Sequence, residues 1–301
     1  MFRQRSQTDP LAPVPLEPSA NTTTAYSDVM NDCILAAQFP LEDRPWKAAY
    51  GRPSNLGRCL PPGWFFGVRV ALALFWLGIS IWSMVDHVNN DMEPNPQFWI
   101  YLTNWTMLFE LFYLVLVATL TGLALYGTDV EDGKGDETPH FVRIALAMQA
   151  VTYIASFFVF VLYWALVYDG GTLLALSCFT HGVNFLVALA DFLLAGLPMR
   201  VAHIWAPLAY GLTYVIFSII YDLAGGTAGA DPYIYKVLDW SDTPGVASAY
   251  GLIVVFVAFP LFFFACLFGV YPQRAKCDCC APEHPAYAAA ATNEKQALQP
   301  A

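Results

Sequence analysis

Charge is what this sequence has least of. Asp, Glu, Lys and Arg make up only 13% of its 301 residues, against about 25% in a soluble domain. The 14 basic and 24 acidic residues leave a formal net charge of −10, with no clustered basic excess to neutralise phosphates, which excludes nucleic acid as a partner. The first ~30 residues also lack the apolar core of a cleavable signal peptide, so the N-terminal extension is expected to stay attached and the first membrane span to act as the targeting signal. Cysteine is sparse and uneven: seven residues, Cys33, Cys59, Cys178, Cys266, Cys277, Cys279 and Cys280, do not make a secreted disulfide framework. No cofactor motif is present. Metal-ligand spacing is absent as well: the acidic loop 128–138 lacks the calcium-loop pattern, and Cys277, Cys279, Cys280 and His284 are too cramped for a zinc site.

What fills the sequence instead is apolar surface, 57% hydrophobic and 16% aromatic. This predicts an all-α fold, a polytopic membrane bundle, with six transmembrane helices at 64–85, 98–126, 142–167, 173–197, 203–221 and 246–270. Residues 1–32, rich in Pro, Ser, Thr and Asn, read as a disordered tail. Residues 33–63 mix Trp46 and Tyr50 with Lys47, Arg52 and Arg58 as an interfacial juxtamembrane segment does. The membrane domain then runs over 64–271, followed by a tail at 272–301. Positive residues favour the cytoplasmic side, and Lys47, Arg52, Arg58, Lys134, Arg143, Arg200, Arg274 and Lys276 all fall before the first span, in alternate loops or after the last. Both termini are therefore expected in the cytoplasm, which agrees with an even number of spans placing them on the same side. The CDCC cluster, Cys277, Cys279 and Cys280, would then lie at the cytoplasmic membrane surface, where thiols are acceptors for palmitoylation.

Ionisable residues inside a span are costly and point to function. Helical geometry places Ser177, His181, Asn184, Ala188 and Asp191 in an arc of about 80° on the fourth span, and Thr103, Thr106, Glu110 and Tyr113 in a similar arc on the second. Gln149, Tyr153, Ser156 and Tyr163 share a face of the third span, and His203, Tyr210, Tyr214 and Tyr221 one of the fifth. Four polar faces imply a common interior. At about 1.5 Å per residue from the outer side, Thr103 lies roughly 8 Å deep, His181 roughly 13 Å, Glu110 roughly 18 Å and Asp191 roughly 28 Å. Thr103 and His181 can thus meet in the outer half as nucleophile and base. Glu110 falls within reach of that network, Asn184 or Asn104 is a candidate oxyanion donor, and Asp191 is too deep to orient the imidazole.

The pattern from about Trp46 to Tyr271 resembles the Rolling stone-like membrane proteins, a family named for a role in myoblast fusion. It is similar, more distantly, to the androgen-induced and androgen-dependent membrane hydrolases of fatty-acid esters of hydroxy fatty acids. The distant likeness is carried by WIYLTNWTMLFEL (residues 99–111), THGVNFLVALAD (residues 180–191) and DPYIYKVLDW (residues 231–240). It implies that Thr103, His181 and Asp191 stand at the positions of the hydrolases' nucleophile, essential His and following acid. Gly182 stands where those enzymes have a Thr, and Asp191 where Glu is more usual. Three functions follow as alternatives. One is an intramembrane esterase acting on acyl-lipid substrates. Another is a non-catalytic protein of cell adhesion or fusion, whose loops 87–97 and 222–245 meet a cell-surface protein partner. The third is a proton or ion path through Glu110, Asp191 and His181. Membrane lipids are expected partners in each, in the plasma membrane or endoplasmic reticulum.

Overall fold

Hydrocarbon offers backbone groups no hydrogen-bond partner, so a chain this apolar must satisfy them within helices. The computed structural model describes residues 46–54, 60–90, 96–127, 139–168, 170–229 and 231–271, which are helical with no strand among them. Six helices are long and apolar enough to cross a membrane: Pro62–Asn89, Leu102–Tyr126, His140–Val167, Ala175–Leu194, Val201–Leu223 and Pro244–Val270. They correspond one to one with the spans expected from the sequence.

The third span is the centre of the bundle. It packs against the second, fourth, fifth and sixth, while the first packs on the second. Its face carrying Leu146, Ala150, Tyr153, Ile154 and Phe158 is buried, and Phe157 stacks on Phe262 of the sixth span with ring centroids 3.7 Å apart. Large apolar side chains such as Leu74, Ile81, Phe112, Leu186, Ile220 and Leu261 point outward, as lipid-facing positions do. Gly211 lets the fifth and sixth spans approach closely, since a Cβ there would stand 3.0 Å from Phe259 and 3.1 Å from Val255.

Before the first span lies the short helix Trp46–Gly51. Trp46 and Tyr50 are buried in the core cluster, and this helix packs against the second span. Burial pushes the Tyr50 phenol well above its usual range. Residues beyond it are stitched to the end of the fourth span: Ser54 N donates to Leu194 O, Ser54 Oγ to Leu193 O, and Pro53 bridges Ala195. A Cβ on Gly196 would come within 3.0 Å of the Arg52 carbonyl, so this strap requires glycine.

The third, fourth and sixth spans each contain π-helical turns, at Tyr163–Val167, at Phe179–Val183, and at Val254–Ala258 and Cys266–Val270. A π turn adds a residue to the helical repeat, so a stripe computed at uniform α pitch slips across it. On the fourth span Asn184, Ala188 and Asp191, beyond the turn, are buried together, whereas Ser177 and His181, before and within it, are half-buried.

Candidate functional site

Two polar groupings occupy the bundle, an inner one toward the end that carries the helix Trp46–Gly51 and an outer one at the opposite end. The inner one is centred on Asp191, which is 1% exposed. Its Oδ1 accepts from Arg69 Nε at 3.1 Å, and its Oδ2 accepts from the hydroxyls of Tyr113 at 2.6 Å and Tyr153 at 3.0 Å. Arg69 Nη1 donates to Thr121 Oγ1 at 2.7 Å, and Thr121 in turn donates to Val117 O. The guanidinium also lies over the Phe65 ring, 4.6 Å from its centroid. Residues of the first four spans therefore converge on one ion pair. Such a pair is tolerable in a low-dielectric interior only when its remaining hydrogen-bonding positions are also filled, and the two tyrosines and Thr121 do most of that.

Arg69 is the residue that sequence reasoning missed. The signal was there: a lone basic residue in the apolar run GWFFGVRVALALFW is as anomalous as the acid it meets. Asp191, too deep to orient His181, is accounted for by this partner. Helix pitch is exact enough over one uninterrupted α segment to have matched their depths.

The outer grouping gathers the start of the second span, the fifth span and the loop 231–240. Leu102 N donates to the Tyr235 hydroxyl at 3.2 Å, which caps the second span from a distant part of the chain. The Thr103 hydroxyl is also hydrogen-bonded to Tyr235, as is Tyr214, and Tyr214 donates to Ile100 O at 2.8 Å. Thr106 Oγ1 and the Tyr210 hydroxyl are 2.9 Å apart. Trp240 Nε1 donates to Ser218 Oγ, Ser241 Oγ to Asp222 Oδ2, and Gln97 Nε2 to Thr227 O. Burial pushes the Tyr235 phenol up to about 12. It therefore stays protonated, able to donate and accept, throughout the physiological range.

His181 sits in the π turn of the fourth span, with its ring stacked on Tyr163 at a centroid distance of 3.5 Å. Nδ1 is 3.0 Å from Ser177 O and 3.1 Å from Thr180 Oγ1. A carbonyl only accepts, so Nδ1 carries the hydrogen and Nε2 keeps its lone pair. Among the described residues Thr103 and His181 are each bonded elsewhere, Thr103 to Tyr235 and His181 to Ser177 and Thr180. Asn104 is likewise engaged, donating to Phe98 O at 2.7 Å. Glu110 is fully buried, with Oε2 accepting from Ser156 at 3.3 Å. Asn184 is fully buried without a partner for either amide atom. Cys277, Cys279 and Cys280 lie outside the described residues. So does the acidic loop.

An apolar cavity of about 340 Å³ opens between the third and fourth spans, beside the turn that holds His181, and is lined by residues including Trp164, Cys178, Gly182 and Phe185. A hydrocarbon chain is what such a lining can take.

A family model described as Protein rolling stone matches residues 64–279. Protein rolling stone of Drosophila melanogaster is 27% identical over 183 residues, covering 56% of this chain and 64% of that protein. The chain thus spans less than two thirds of that relative's length. No solved structure matches it.

Proposed function

Given that the chain belongs to the Rolling stone family and is a multi-pass membrane protein, we propose that it acts without catalysis, as a surface protein in cell adhesion or fusion. The observation that carries this role is the fastening of the outer loop. Tyr235 caps the second span, Trp240 and Ser241 are tied to the fifth, and Gln97 reaches Thr227, so the ends of two of the three outer connections are tied together as one platform. Partner recognition costs less where the binding surface is already ordered, as it is over the loop 231–240. Asp231, Pro232 and Lys236 stay exposed on that platform, available to a cell-surface protein. The buried polar groups, on this account, hold helices together.

The test is a cell-mixing assay with cells displaying the wild-type chain or a variant with Asp231→Ser and Lys236→Ser. Expected is contact or fusion above that of non-expressing cells, and its loss in the variant at equal surface amount. Expression without any rise over background would overturn the role.

A second function, an intramembrane esterase on acyl-lipid substrates, is favoured by the free Nε2 lone pair of His181 beside an apolar cavity. In it His181 takes the Thr103 proton as the hydroxyl attacks the ester carbonyl, then protonates the leaving alcohol, and water releases the acyl group. Thr103 would first have to leave Tyr235. Labelling by a fluorophosphonate probe in wild type, abolished in both Thr103→Ala and His181→Ala, would support it. Absence of labelling in the wild type would rule it out.

A further inference from the structure

The short helix Trp46–Gly51 and the strap that continues it to Ser54 lie across the ends of three spans. Trp46 meets Phe141 of the third span edge-on, with ring centroids 5.5 Å apart. Gly51 sits on the second, where a Cβ would stand 3.3 Å from Leu125 and 3.5 Å from Ala124. Pro53 and Ser54 are bonded to Leu193, Leu194 and Ala195 at the end of the fourth.

Beneath it lies the Arg69–Asp191 pair, and the same contacts measure how near. Arg69 is bonded to Thr121 of the second span, and Ala124 and Leu125, against which Gly51 rests, are one helical turn further along. Asp191 is likewise one turn before Leu194 and Ala195, which hold Ser54 and Pro53. One turn is about 5 Å, so on both spans the strap crosses just beyond the pair. Tyr50, 1% exposed, is close enough to feel the charges of both Arg69 and Asp191.

The seated strap is not fully satisfied. Trp46 Nε1, the Tyr50 hydroxyl and Arg69 Nη2 are buried with no hydrogen-bond partner among the described residues. Leaving buried donors unmet is costly, and water meets them once the strap lifts. Contacts that carry such a cost open at a lower free energy than satisfied ones. The spans below keep their own backbone hydrogen bonds whether or not the strap is seated, so it can leave without unfolding them. We propose that the segment Trp46–Ser54 is a latch: seated, it seals the Arg69–Asp191 pair from water at that end of the bundle, and lifted, it opens a route to Arg69. Neither adhesion nor ester hydrolysis is assumed, so the latch stands apart from the functions proposed above.

The test uses the full chain in detergent, well below its unfolding temperature, with a water-soluble phenylglyoxal that modifies arginine and mass spectrometry to locate the adduct. Exposed Arg52 is the reference for full access. A disulfide needs Cβ atoms about 3.5–4.5 Å apart, and the 3.5 Å between a Cβ on Gly51 and that of Ala124 meets this. Gly51→Cys with Ala124→Cys should therefore lock the strap when oxidised and free it when reduced. Expected is slow modification of Arg69 in the wild type, at least about 10-fold slower in the oxidised pair and restored by reduction. Should the paired cysteines prevent folding, the wild type alone decides: Arg69 modification and amide exchange over 46–54 should report one opening, at least about 10-fold more frequent than that of the spans over 117–121 and 187–191. Arg69 modified equally with the strap locked and free, or opened in the wild type only as often as the spans, would mean that the strap is a fixed part of the bundle, and would overturn the proposal.

Discussion

Asp191 can be taken first as a single carboxylate with three donors. Removing one member of a buried ion pair leaves the other charge uncompensated, at about 3–5 kcal/mol, whereas replacing both by apolar groups of similar size is often neutral. Asp191→Asn and Arg69→Met are therefore each expected to lower the detergent-solubilised unfolding temperature sharply, and the double variant Arg69→Met with Asp191→Leu to recover most of the loss. Equal, additive losses would show that the pair contributes no coupling. Tyr113→Phe and Tyr153→Phe each remove one hydrogen bond to a charged group, worth about 1.5–3 kcal/mol. Tyr235 carries a pH dependence of its own. Its phenol is raised to about 12 in the folded chain, against about 10 when unfolded. Below about pH 10 both states keep the proton and nothing changes. As pH rises from there toward about 12 the unfolded chain loses its proton first, so folding stability declines, by up to about 2–3 kcal/mol. Chemical denaturation of wild type and Tyr235→Phe across that alkaline window should show the decline lessened in the variant.

At the scale of elements, the close approach of the fifth and sixth spans is expected to tolerate no side chain at Gly211. A leucine there meets Phe259 and Val255 within a packed interface, and overpacking of this kind costs about 1–3 kcal/mol; thermal unfolding of Gly211→Leu beside the milder Gly211→Ala would measure it. The same packing explains what the sequence made legible. Length and hydropathy place all six spans, because a bilayer fixes both quantities. Most of each stripe on the second and third spans is legible too, since Thr106, Glu110, Tyr113, Gln149, Tyr153 and Ser156 lie on uninterrupted α segments and are buried, whereas Thr103, at the start of the second span, and Tyr163, at the π turn of the third, are half-buried. On the fourth span the π turn breaks that arithmetic between His181 and Asn184. Apolar side chains allow many backbone pitches, so nothing in FTHGV announces a π turn. Tyr235 was equally hidden as a partner for Thr103. Its loop folds back over the bundle through contacts between residues 132 positions apart, and no local periodicity reports such a return.

For the molecule as a whole, the distribution of basic residues and the even number of spans make one further commitment. The helix Trp46–Gly51 and the strap over Gly196 are expected on the cytoplasmic side, and the platform around Tyr235 on the opposite one. These are also the two ends at which the bundle is closed by its own chain: by Ser54 on Leu193 and Leu194 inside, and by Tyr235 and Trp240 outside. A cysteine introduced at exposed Lys236 should therefore react with a membrane-impermeant maleimide in intact cells if the protein reaches the cell surface, or in ruptured lumen if it stays in internal membranes. A cysteine at Arg52, also exposed, should show the reverse, reacting only once the cytoplasmic face is opened. Native thiols need not confuse the result, because the outcome is read as the gain over the unmodified chain. Labelling of both sites from one side would break the six-span topology, since an even number of crossings separates neither terminus from the other but an odd number of them separates Arg52 from Lys236.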